Sequence, residues 1–228
     1  MNARILYTFS AASRLYGKKL YKAMADRAYE YIAQHFIDSR HGGVYWAVDY
    51  LGHPADTKKQ FYALAFAVYA LAEYYKIRPD DKVLESALDL YRMIEEKAFD
   101  TMHNGYIEAL SRDWLPIADM RLSAKDMNVA KSMNTHLHII EAYTNLYRVH
   151  KVSALKERLI NLYDLFRYHI INRDSNHLIL FFDPEWKKMS DIISFGHDIE
   201  ASWLLSEAAE VSGDEDRIRD AKGLAVRM

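Results

Sequence analysis

An all-α protein built from stacked helical hairpins is predicted by three observations. Apolar residues recur at three-to-four spacing along nearly the whole chain. The helices marked in this way, about eight of them, alternate between short turns and long loops. The long loops resemble one another, so the repeating unit is helix, short turn, helix, long loop, at roughly 60 to 75 residues.

The elements follow in order. Ile5, Phe9, Ala12 and Tyr16 mark a first helix, which Gly17 can end. Leu20 to Phe36 continues with Leu20, Met24, Ala28, Tyr31 and Ile32 on one face. Lys59 to Lys76 (FYALAFAVYALAEYY at its centre) is apolar all round, as a helix buried on nearly every side must be. Pro79 and Asp80 open the next helix, to Lys97. Asn128 to His150, Ser153 to Ile171, His197 to Val211 and Asp214 to Arg227 complete the series. The loops HGGVYWAVDYLGHPADTK, HNGYIEALSRDWLPIADMRLS and SNHLILFFDPEWKKM each read as two brief strands around a turn. Without a Pro/Ser linker, residues 1–228 read as a single domain. Hairpins stacked with every long loop on one side make an open solenoid or a closed toroid, and that rim is where a site would lie.

Composition excludes several classes. Half of the 228 residues are hydrophobic and 27% are charged, which suits a packed core and not a disordered chain. Lys+Arg 30 against Asp+Glu 32 leaves a formal charge of -2, against a general nucleic-acid or acidic-membrane binder. The absence of Cys removes disulfide frameworks, thiolate zinc sites and cysteine nucleophiles, and is compatible with a reducing cytoplasm. No signal peptide is visible, and the longest apolar run, Ala63 to Ala72, is too short to span a bilayer, so a soluble cytoplasmic protein is expected. Tyrosine is abundant, 17 residues, and supplies rings with a hydrogen-bonding tip, suited to a semi-polar core or to a cavity for a polyhydroxylated ligand.

The chemistry lies in KSMNTHLHIIEAYTNLYRV and SFGHDIEASWLL. Each carries H-x-x-E-A: His138 with Glu141, and His197 with Glu200. On a helix each pair shares a face, one turn apart; Asn134 lies on the face of His138, and His136 points elsewhere. An imidazole both takes and returns a proton near neutral pH, and a neighbouring carboxylate fixes its tautomer. One such pair alone is also an ordinary surface contact. A carboxylate-bridged di-metal bundle uses Glu-x-x-His; here the order is reversed and no convincing extra carboxylates appear on the helix from Lys59. Arg4 and Tyr62 are mute alone, and neither a P-loop, G-x-G-x-x-G nor G-x-S-x-G occurs.

These segments resemble the N-acylglucosamine 2-epimerase superfamily, most closely its cellobiose 2-epimerase branch. The likeness is carried by Arg4-Ile5-Leu6, GGVYWAVDYLGHPADTKKQFYALAFAVYAL, NGYIEAL, KDMNVAKSMNTHLHIIEAYTNLY and SFGHDIEASWLL, and covers nearly the whole chain. It implies an (α/α)6 toroid, here a partial barrel of about four α-hairpins with short β-hairpin loops on one face. It implies epimerisation at C2 of the reducing-end sugar of a β-1,4-linked disaccharide, glucose to mannose, by histidine acid/base transfer through an enediolate, with no metal and no cofactor. Arg4 then resembles the arginine that stabilises the enediolate oxygen. Tyr62 and Asn134 resemble sugar-contacting residues, and Asp126 lies in a site-lining stretch. His138 resembles the histidine that handles the ring or its hydroxyls, and His197 one of two acid/base histidines, with Glu200 orienting it.

The same resemblance includes earlier helical elements, a later acid/base histidine and stacking tryptophans, which residues 1–228 do not contain. The chain is therefore expected to be a fragment, weak or inactive alone, and prone to self-association through exposed barrel ends. The rival functions are an N-acylglucosamine 2-epimerase or mannose isomerase of the same chemistry, and a non-catalytic sugar-binding protein. A toroidal glycoside hydrolase ranks last, because it needs a carboxylate pair and the acidic residues read as solvent-facing or beside a histidine.

Overall fold

The computed structural model describes all 228 residues. It is all-α, with four α-hairpins distributed over two compact units, Met1–Ala98 with Ala109–Met120, and Phe99–Glu108 with Arg121–Met228. No helix is long and apolar enough to cross a membrane.

The first unit holds α1 (Asn2–Tyr16), α2 (Lys19–Tyr31), α3 (Phe61–Tyr75) and α4 (Asp81–Lys97). Gly17 ends α1 at φ 64, a left-handed turn open to glycine without strain. A π-helical turn, Ile32–Phe36, finishes α2. Helix α1 packs on both α2 and α3, and α3 on α4. The pattern read from sequence is realised in α3, where every residue is buried except Tyr62, Ala63 and Tyr75. Strands β1 (Ala47–Val48) and β2 (Pro54–Asp56) form the expected hairpin. Strand β3 (Lys59–Gln60) leads into α3 and pairs with β4 (Ala109–Leu110).

The second unit holds α5 (Met133–Val149), α6 (Ser153–Leu165), α7 (Phe195–Ser212) and α8 (Glu215–Arg227), with α5 against both α6 and α7 and α7 against α8. A second π-helical turn, Phe166–Ile170, closes α6. Strand β5 (Lys131–Ser132) leads into α5 and pairs with β6 (Phe181–Phe182). Two expectations are corrected here. The second long loop does not fold into a hairpin of its own, because β4 pairs with the strand that introduces α3; the third does, through an antiparallel bridge between Phe182 and Lys188, while β6 also pairs with the strand that introduces α5. Residues 128–132 are likewise not helical, because Lys131 and Ser132 are needed for that pairing.

The first three hairpins end in the same turn. The side chains of Asp38, Asp100 and Asn172 accept hydrogen bonds from the backbone N–H groups two and three residues on, at 2.9–3.3 Å. In the first two turns a fully buried lysine meets the aspartate: Lys59 Nζ to Asp38 at 2.9 Å, and Lys131 Nζ to Asp100 at 2.7 Å. A tryptophan lid covers each pair. Trp114 and Trp186 both stand at positive φ, 66° and 69°, and donate their indole N–H to His41 O and His103 O. Gly43 and Gly105 lie directly beneath these rings, and a Cβ at Gly105 would overlap Trp186 and His136. Burial alone would raise the Asp38 carboxyl, but Arg112 and Lys59 outweigh it and hold it well below the carboxylate range.

Removing the anion from such a pair strands the buried ammonium. Asp38→Ala is expected to destabilise the chain by about 3–5 kcal/mol in urea unfolding, whereas a loss near zero would show that Lys59 finds another partner.

Candidate functional site

In the first unit, the second residue of α3, Tyr62, is a candidate site residue. Tyr62 stays out of the core because it faces a cavity of about 330 Å³, lined also by Arg4, Tyr45, Trp46 and Phe66. Arg4, exposed near the start of α1, donates from Nη2 to Tyr62 Oη at 2.8 Å. Its guanidinium lies 4.4 Å from the centre of the Phe66 ring, one turn further along α3. The structure thus brings together Arg4 and Tyr62, which sequence alone could not connect, and leaves guanidinium N–H groups at the cavity edge.

In the second unit, α5 repeats the arrangement. Its second residue, Asn134, is the one side chain not buried between Met133 and Leu146. The Asn134 Oδ1 atom is enclosed and accepts no hydrogen bond within the chain. His138, one turn on, is buried, and its Nδ1 lies 2.9 Å from Glu141 Oε2. An ionised carboxylate only accepts, so Nδ1 carries the hydrogen there. His136 does point elsewhere: Nδ1 donates to Ser132 O at 2.7 Å and Nε2 accepts from Tyr106 N–H at 2.9 Å. Complete burial pushes His136 down to about 4 and keeps it neutral.

His197 is half-buried in the first turn of α7, the helix packed against α5. The expected contact with Glu200 is not formed; Nδ1 of His197 lies 2.7 Å from Ser194 Oγ. The motif misleads because its two copies fall at different places along their helices. His138 is the sixth residue of α5, whereas His197 is the third of α7, within reach of the N-cap serine. Glu200 takes the sixth position in α7, the place of His138 in α5. Asp198, beside His197, is buried and accepts from Leu178 N–H and from His177 Nδ1 at 2.9 and 2.8 Å.

Glu108 was not singled out by any sequence motif, although it lies in NGYIEAL. It is buried and accepts from Ser132 N–H and Thr135 Oγ–H, both at 2.8 Å. Those donors belong to the N-cap and third residue of α5, so Glu108 fixes the turn that carries Asn134. Asp126 is half-buried and accepts from Ser123 Oγ at 2.8 Å, and its charge acts on Glu108. Asp38, Glu73 and Asp198 depart from the solvent-facing expectation and are buried, and Glu141, beside His138 as read, is buried as well. They are consumed by lysine, arginine, histidine and backbone donors, as buried carboxylates require.

Burial, with Asp126 adding to it, raises Glu108 to about 7 against the hydrogen bonds that lower it. A carboxyl raised on folding stabilises the folded chain fully below its unfolded value near 4.5 and loses that contribution as pH climbs through about 7. Glu108→Gln is therefore expected to flatten the decline in stability between these two values, read as denaturant midpoints along a pH series. Parallel wild-type and variant curves would contradict the assignment.

Comparison with known proteins fits this geometry. The sequence model of the family described as N-acylglucosamine 2-epimerase (GlcNAc 2-epimerase) matches residues 1–228. A cellobiose 2-epimerase of Bacteroides fragilis is 54% identical over 228 residues, all of this chain and 58% of that protein. One from Dictyoglomus turgidum is 36% identical over 228 residues, again all of this chain and 58% of the relative. The solved cellobiose 2-epimerase of Bacillus thermoamylovorans B4167 superposes with a TM-score of 0.95 at 41% identity, over 99% of this chain and 58% of that one. The four hairpins therefore have the fold class of the (α/α)6 barrel enzymes. The chain spans less than two thirds of the length of the relatives it matches.

Proposed function

The chain belongs to the N-acylglucosamine 2-epimerase family, and we propose that its site serves a cytoplasmic sugar epimerase, interconverting glucose and mannose at C2 of the reducing end of a β-1,4-linked disaccharide. The observation that carries this reading is the pair of imidazoles on neighbouring helices, His138 and His197, each oriented through Nδ1, with Nε2 of His197 left open.

The chemistry suits such a pair. In the open-chain aldehyde, the hydrogen at C2 is acidic because the carbanion delocalises into the carbonyl as an enediolate. Inversion needs a proton removed from one face and returned to the other, work within reach of imidazole. His197 acts in this proton transfer. Arg4, held over Phe66 and against Tyr62, supplies charge to the developing oxyanion. The unpartnered amide oxygen of Asn134 suits a sugar hydroxyl as donor. His138 handles the ring or its hydroxyls, Tyr62 and Asp126 contact the sugar, and Glu200, released from His197, is a further acceptor at the same helical level as His138. Nothing in this scheme calls on a cofactor.

A second expectation concerns association. Phe195, Ile199 and Trp203 are exposed along one face of α7, with Ile192 and Ile193 before it. Such an apolar stripe supports self-association of this chain, which light scattering reads directly.

The catalytic reading is tested by incubating the chain with cellobiose in deuterium oxide. Deuterium at C2 of the reducing-end glucose is expected, with slow formation of glucosylmannose. His197→Gln should lower the exchange by about 10²-fold or more. Cellobiose recovered with its C2 hydrogen intact and no detectable binding would overturn the proposal, as would exchange indifferent to His197→Gln.

A further inference from the structure

Helix α7 opens on Ser194, and this serine does not do what serines at helix starts do. An N-cap serine ordinarily accepts from the backbone N–H of the second or third helical residue. Ser132, at the start of α5, does so, accepting from Thr135 N–H at 3.2 Å. Ser194 caps no backbone group; its only side-chain contact is His197 Nδ1, at 2.7 Å. The stability a cap would contribute has been exchanged for the orientation of one imidazole.

We propose that Ser194 is the positioning residue of His197: its hydroxyl oxygen accepts the Nδ1 hydrogen, fixes the ring in one tautomer, and leaves Nε2 as the atom that exchanges hydrogen with a bound sugar. The last clause rests on the epimerase reading; the tautomer does not. No group of the chain bonds Nε2 of His197, and the ring is half-buried, so that nitrogen is open to a ligand.

The contrast with His138 gives the proposal its content. Both rings are held by Nδ1, but His138 is held by a carboxylate and His197 by a neutral hydroxyl. A carboxylate brings a fixed negative charge to the ring, whereas a hydroxyl orients it without one. On this assignment the two rings on adjacent helices share a tautomer and differ in the charge behind them. The serine also accounts for Glu200: with Nδ1 already engaged, the carboxylate one turn on is not needed to orient the ring.

The test uses the full chain labelled with 15N-histidine, read by imidazole nitrogen–hydrogen correlation spectra above the titration range of imidazole. His197→Gln assigns the resonances. In the wild type, His197 is expected to show a protonated Nδ1 and a bare Nε2. Ser194→Ala should move it towards the Nε2–H tautomer that free imidazole side chains favour in water, and Ser194→Thr should restore the original pattern. His138 should be unchanged throughout and reports that the fold is intact. Glycine costs little at an N-cap, so Ser194→Gly provides the same test should the alanine variant unfold. A wild-type His197 protonated at Nε2, or a Ser194→Ala spectrum identical to wild type, would overturn the proposal. Exchange at C2 separates the two layers. Ser194→Ala should lower kcat by about tenfold with KM little altered. A tautomer shift in a chain that never exchanges C2 would retain the positioning role and remove the epimerase reading; exchange in a chain whose tautomer ignores Ser194 would do the reverse.

Discussion

A helix packed on all sides can meet a ligand only where its packing stops, and in this protein that place is the first turn. Helices α3 and α5 are buried almost throughout, and in both the second residue, Tyr62 or Asn134, is a polar side chain left unburied in the first turn. Helix α7 opens with the unburied Gly196 at that position and sets His197 immediately after it. Apart from Asp126 in the loop before α5, every polar group with a candidate role lies within a turn or two of a helix start. Small errors there are costly, because a displaced first turn moves the reactive atom directly.

The structure secures those turns with unusual investment in buried charge. Lysines introduce α3 and α5 from short strands, and each is neutralised by an aspartate turn and roofed by a tryptophan from the following loop. Glu108 clamps the start of α5 through two further donors. Buried ion pairs add little net stability compared with an apolar core, but they tolerate only one geometry. Their place at the base of the site-bearing helices is consistent with a need for registry more than for stability.

Much of this was legible from sequence. Helical periodicity, the all-round apolarity of α3, the glycine stop at Gly17 and the hairpin Ala47 to Asp56 follow from local rules and are found as read. What failed was non-local. The partner of β3 is some fifty residues downstream, so β4 looks like an arm of a local hairpin until the fold pairs it elsewhere, and nothing local reveals that β6 also pairs with β5. Lys59 and Lys131 read as charged helix starts, because nothing local reveals the aspartate each will meet. Glu108 lies in a loop motif whose partners begin 24 residues on. The second H-x-x-E-A shows the limit of motif spacing. The spacing is right, but the helix begins two residues before His197, and the serine before that captures the ring.

The central claim is that the first turns of α5 and α7 form the ligand-contacting surface of the second unit. The most direct measurement is the response of assigned side-chain resonances to added cellobiose. The account predicts that the Asn134 amide and the His138 and His197 rings shift together and saturably, while the structural ring of His136 does not. Shifts confined to other elements, or a His136 response equal to that of His197, would contradict it.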